Sequence, residues 1–186
     1  MEQVIDGKKD GWRSGPWRIA AWSTAAALMA LPILVQLING KFGWTTADFV
    51  FAAIVLFGSC SLFDLAARKS PNFSYLAGAG AALAAGFGLV VVNGAVGLVG
   101  SEDEAHNLLF GIVILVAIAG AVIVRARPAG MARTMSAAAV THIVISAVLL
   151  VRAAGVNAHP LAEVFGLSVF AAIWLTSASL FRHASR

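Results

Sequence analysis

Two pairs of a carboxylate and an imidazole carry the most evident chemistry in this 186-residue chain. Glu102 and His106 are four residues apart, and so are His159 and Glu163. On a helix that spacing puts both side chains on one face, a turn apart. A carboxylate beside an imidazole can share a divalent cation or pass a proton. Asp48 opens another predicted helix, and His142 is the histidine placed deepest in an apolar run. Asp48, Glu102, His106, His142, His159 and Glu163 are therefore the candidate ion or proton site, with Asn93 and Arg152 close by if the helix ends converge.

The same residues have a plainer role. Ser101 and Glu104 match a capping box, and Thr45 with Asp48 gives a second Thr-x-x-Asp start. Acidic side chains in a first turn also suit the positive end of the helix dipole. A neutral imidazole at His142 can hydrogen-bond to a neighbouring helix, which needs no chemistry at all. A bis-histidine haem site requires a second histidine at matching depth. His106 and His159 fall at helix ends and His183 in the tail, so none is available. The single cysteine, Cys60, leaves no intramolecular disulfide and no thiolate pair for zinc. No Walker-type loop, dinucleotide fingerprint or H-E-x-x-H element is present, and no cofactor is expected.

The elements that must position these residues are apolar. Hydrophobic residues make up 60% of the chain and charged residues 12%, half of what a soluble domain carries. Runs at about 17–38, 46–67, 74–99, 103–124, 132–152 and 160–181 are each long enough to cross a hydrocarbon core. The first run is longer than a signal-peptide core and lacks a clear A-x-A site, so it reads as an anchor. The expected fold is all-α: a six-helix transmembrane bundle spanning 17–181, with an N-terminal segment 1–16 and a tail 182–186. Pro32 predicts a kink in the first helix.

Charge sets the expected orientation. Eleven Lys and Arg fall in the N-terminus, the 68–73 and 125–133 loops and the C-terminus, against Lys41 and Arg152 on the other side. The positive-inside rule then places both termini in the cytoplasm and the acidic turn around Glu102–Glu104 outside. The basic residues are dispersed in this way rather than gathered into one stripe, which excludes a nucleic-acid footprint. The chain also divides into three helical hairpins, each with glycine in its outer turn. Their short matches fit repeated capping on an apolar background, with internal duplication as the alternative.

Packing and partners follow from small residues. Gly78, Ala82 and Gly86 recur at intervals of four, as do Gly80, Ala84 and Gly88, which lets another helix approach closely. Asp64 precedes Arg68 by four residues, the favourable order for an ion pair, and Ser59-Cys60-Ser61 reads as small polar packing.

Two stretches carry a resemblance. The W-x-x-x-D-F element from Trp44 to Phe49 and the run V-N-G-A-V-G-L-V-G-S-E-D from Val92 to Asp103 resemble a group of small multi-pass inner-membrane proteins of proteobacteria. The resemblance covers the middle of the chain. It implies a location in the bacterial inner membrane and carries no catalytic residues across. Small size, glycine-rich faces and the lack of a charge network inside the spans point to a binding or assembly protein without catalysis of its own. Its expected partners are the bilayer, a second copy or another membrane protein. A small proton- or cation-coupled transporter or channel, using the outer acidic and histidine set, is the competing expectation.

Overall fold

The computed structural model describes residues 16–39, 43–101, 103–153 and 160–186. Among them the protein is all-helical, and six helices are long and apolar enough to cross a membrane. The helices are α1 (Pro16–Asn39), α2 (Thr46–Lys69), α3 (Phe73–Ala95), α4 (Phe110–Ile123, entered through a 3-10 turn at Ala105–Leu109), α5 (Pro128–Ala153) and α6 (Pro160–Ala184). They fall into two compact units, Met1–Pro71 with α1 and α2, and Asn72–Arg186 with α3 to α6.

In the first unit, α2 begins at a complete capping box. Asp48 N–H donates to Thr45 Oγ1 at 3.4 Å, and Thr45 N–H donates to Asp48 Oδ2 at 2.7 Å. The helix stops at Ser70, whose N–H donates to the Ala66 carbonyl, just before Pro71. Several side chains join α2 to α1 among the described residues. Trp22 stacks on Phe57 with ring centroids 6.1 Å apart, Cys60 Sγ lies 3.8 Å from the Ala21 carbonyl oxygen, and Arg18 pairs with Asp64. The serines flanking Cys60 turn back on their own helix, Ser59 to the Val55 carbonyl and Ser61 to that of Phe57. Helix α1 continues through Pro32.

In the second unit the chain order is not the packing order. Helix α6 packs along both α3 and α5, α5 also packs along α4, and α3 barely touches α4. Although the acidic turn joins α3 to α4 in sequence, α6 takes the place beside α3. Small residues explain the choice. A side chain at Gly78 would meet the ring of Phe181 at 3.1 Å, and one at Gly88 would meet Phe170 at 2.8 Å, so both rings of α6 rest on bare backbone of α3. Ser177 then donates to the Gly78 carbonyl at 2.7 Å, and Tyr75 meets Phe181 edge-on at 5.1 Å. Trp174, Phe181, Tyr75, Phe110, Met135 and Leu89 fill the core, each at most 2% exposed.

The two ends of this unit differ in charge. One end holds the start of α3, the turn between α4 and α5, and the end of α6. Tyr75, the chain's only tyrosine, donates from its hydroxyl to the Ala126 carbonyl at 2.9 Å and so ties that turn to α3. Arg125, Arg127, Arg133, Arg182 and Arg186 belong to this basic end, and the described acids of the unit, Asp103, Glu104 and Glu163, belong to the other.

Candidate functional site

The acidic end is built around the turn from Val96 to Leu109. Gly97 and Gly100 adopt positive φ of 75° and 79°, a conformation open to glycine at no steric cost. Asn107 locks the turn from inside. Its Oδ1 accepts the Val99 N–H at 3.0 Å, while Nδ2 donates to the carbonyls of Val99 at 3.1 Å and Ser101 at 2.9 Å. Asn107 is 2% exposed, so its amide stands in for water at backbone groups that the sharp turn leaves unpaired.

This corrects the expected helix start. Ser101 does not cap α4. Glu104 occupies the cap position without a side-chain bond, and the chain enters α4 through the 3-10 turn. The Ser101 carbonyl instead accepts from Asn107 Nδ2 and from the Glu104 N–H, which keeps the chain in a turn for three more residues.

Charged groups fasten the same turn. Glu163, in the first turn of α6, accepts the Gly100 N–H at 3.0 Å. His106 stands between two oxygen acceptors, with Nδ1 3.5 Å from Glu104 Oε2 and Nε2 3.3 Å from the Val99 carbonyl oxygen. A neutral imidazole has one proton for these two acceptors, and the doubly protonated ring serves both. Glu104, His106, Asn107 and Glu163 thus meet at one short backbone segment, Val99 to Ser101.

The other candidates lie elsewhere. Asp48 belongs to the first unit and is engaged in its capping box. His142 is fully buried between Phe110 and Phe170, with ring centroids 5.4 and 6.2 Å away. Its Nε2 lies 3.0 Å from the Leu167 carbonyl oxygen on α6, which only accepts, so Nε2 carries the proton. Nδ1 is left without a hydrogen-bond partner, as is the hydroxyl of Ser146 one turn further along α5. Glu102 and His159 lie outside the described residues. Among the described residues no group of three or more His, Cys, Asp or Glu side chains is placed to hold a metal ion. Of the glycine row, Gly78 faces Phe181, while Gly86 has open space where a side chain would go.

Sequence reasoning missed Asn107, Tyr75, Ser177 and Arg18. The signal for Asn107 was available, since it is an amide immediately before a stretch that is apolar from Leu108 to Val124. The partners of the other three are 46 to 99 residues away and left no local trace. No family model matches the sequence, and no curated protein or solved structure shows significant similarity to it.

Proposed function

We propose that this integral membrane protein acts by binding other membrane components, as an assembly or accessory protein without catalysis of its own. The observation that carries this reading is the surface of the first unit. Of the described residues in α1 and α2, only Ala25, Asp64 and Ala67 are buried. The pair leaves Ile19, Leu28, Leu31, Leu34, Val50 and Ile54 exposed, interspersed with Ala20, Ser23, Thr24 and Ala26 on α1. Alternating bulky and small residues favour close packing by another helix over contact with lipid tails alone. Glu163, Glu104 and His106 at the acidic end support the same reading, because Glu163 accepts a backbone N–H and Glu104 lies against His106. We place both termini in the cytoplasm on the distribution of Lys and Arg, and the chain in a bacterial inner membrane on the resemblance of the Trp44–Phe49 and Val92–Asp103 stretches.

Purification in a mild detergent tests the proposal. A stable homo-oligomer or a co-purifying membrane protein is the expected result, lost on replacing Ala20 and Thr24 by leucine. A strictly monomeric protein with no partner would sink it. Orientation is read from a cysteine at position 103 in a Cys60-free background. Labelling of that cysteine from the cytoplasmic side alone would reverse the topology.

One observation favours the transport reading. His142 Nδ1 and the Ser146 hydroxyl are two buried polar atoms a turn apart without partners, where a water or proton could lodge. Liposomes loaded with a pH-sensitive dye decide between the two. Proton or cation flux that falls in His142→Ala would favour transport, and flux equal to that of empty vesicles would leave the assembly reading.

A further inference from the structure

At the basic end of the second unit, a hollow of about 430 Å³ opens between the start of α5 and the end of α6. Ala129, Ala132, Arg133, Ser136, Arg182 and Ser185 line it. We propose that this hollow binds a phosphate group, carried by an anionic phospholipid or free in solution, through the guanidinium groups of Arg133 and Arg182.

Charge balance is the first argument. Among the described residues from 72 to the C-terminus the acids are Asp103, Glu104 and Glu163, and all three belong to the opposite end. Arg133 and Arg182 have no carboxylate partner among the described residues. Arg125 and Arg127 just before α5, and Arg186 just after α6, add to the same field. Two arginines that share a concavity and lack a counter-ion make a site for an anion supplied from outside the chain.

Donor chemistry narrows the anion. Ser136 donates its proton to the Ala132 carbonyl and Ser185 to that of Arg182, so neither hydroxyl proton is free for a ligand. The remaining side-chain donors are the two guanidinium forks. Their planar N–H pairs match the oxygens of phosphate and engage them two at a time. The alanines keep one wall small, which leaves the space for the group itself.

The position is fixed from below. The turn into α5 holds two consecutive non-glycine residues at positive φ, Arg125 at 52° and Ala126 at 50°. Such backbone persists only where its surroundings enforce it. Here the Tyr75 hydroxyl takes the Ala126 carbonyl, and the Val124 side chain sits where a side chain on Gly130 would have to go. The start of α5, and Arg133 on it, is thereby held against the second unit.

The test is native mass spectrometry of the full chain released from detergent micelles. Dioleoyl phosphatidylglycerol, a phosphate-free galactolipid of equal chain length and inorganic phosphate are titrated separately, and phosphate is then added against the bound phospholipid. Wild type should retain phosphatidylglycerol over the galactolipid. Arg133→Gln/Arg182→Gln should lose roughly tenfold to thirtyfold in affinity. Arg152→Gln at the other end should match wild type, and Arg133→Lys/Arg182→Lys should fall between, since lysine keeps charge but loses the fork. Each variant's unfolding temperature in lipid-free detergent separates lost binding from lost fold. Displacement of the lipid by millimolar inorganic phosphate assigns the site to the free ion, and resistance to it assigns the site to the lipid headgroup. Equal retention of phosphatidylglycerol and galactolipid, or an Arg133→Gln/Arg182→Gln protein that binds both phosphate sources as wild type does, overturns the proposal.

Discussion

Asn107 and Val99 are joined along both edges of one amide. The Val99 N–H donates to Asn107 Oδ1 at 3.0 Å, and Asn107 Nδ2 donates to the Val99 carbonyl at 3.1 Å. The side chain thus imitates a strand neighbour where the chain reverses through two positive-φ glycines, Gly97 and Gly100. Asn107→Asp keeps the shape and removes the donor, turning a carboxylate oxygen toward the carbonyls of Val99 and Ser101. The expected loss is about 2–4 kcal/mol, the cost of orphaning buried polar groups. Thermal unfolding in detergent measures it, and an Asp variant that melts with wild type would show that the turn is held by something else.

How far the sequence foretold this arrangement depends on the range of the force involved. The spans were legible because lipid-crossing length and apolar composition are local properties, and so was the Thr45–Asp48 box, whose partners are three residues apart. Asp64 with Arg68 was legible for the same reason, but Arg18, 46 residues away, was not. The placing of α6 against α3 depends on Phe181 finding Gly78 and Phe170 finding Gly88. A row of glycines says that some helix comes close without saying which. At the acidic end the residue types predicted a cluster, and they came together in part, at Val99–Ser101. There the backbone was the stronger competitor for Glu163 and His106, because unpaired amides in a tight turn claim nearby acceptors and donors first.

The bond from His142 to Leu167 supports a prediction about tautomer and shape. Glutamine can place its amide nitrogen near the position of Nε2, while alanine leaves a cavity and an unused carbonyl lone pair. His142→Ala should cost about 2–4 kcal/mol through the cavity and the lost bond. His142→Gln should recover a substantial part of that. Chemical unfolding of the two variants side by side checks the order, and a glutamine variant no better than alanine would remove the hydrogen bond from the account.

Asp64 is shared unequally by two arginines. Arg18 grips it in two places, Nε to Oδ1 at 2.7 Å and Nη2 to Oδ2 at 3.0 Å, with Arg18 31% and Asp64 11% exposed. Arg68 reaches Oδ2 alone and is 60% exposed. A double-mutant cycle should therefore return about 1–3 kcal/mol for Arg18 with Asp64, from the shielded, charge-assisted contact. The cycle for Arg68 with Asp64 should return about 0.5 kcal/mol or less, and less still in high salt. Equal coupling energies would contradict the difference in exposure on which the ranking stands.

Gly120 and Gly86 make opposite predictions from the same substitution. A methyl at Gly120 would overlap the Thr134 side chain, which is β-branched and 6% exposed and so has little freedom to swing away. Gly120→Ala should force α4 and α5 apart and cost about 1–3 kcal/mol, despite the better helix propensity of alanine. Thr134→Ala in the same chain removes the overlapping methyl and hydroxyl and should restore most of the loss. Gly86 has nothing within 4 Å of the position a side chain would take. Gly86→Ala should therefore leave the fold intact or stabilise it by up to about 1 kcal/mol, the ordinary gain of alanine over glycine inside a helix. Unfolding midpoints of the four proteins in one detergent decide the matter. A Gly120→Ala protein as stable as wild type would mean that α4 does not lie this close to α5. A Gly86→Ala protein that keeps its midpoint but changes oligomeric state would mean that a second chain uses the open side of α3.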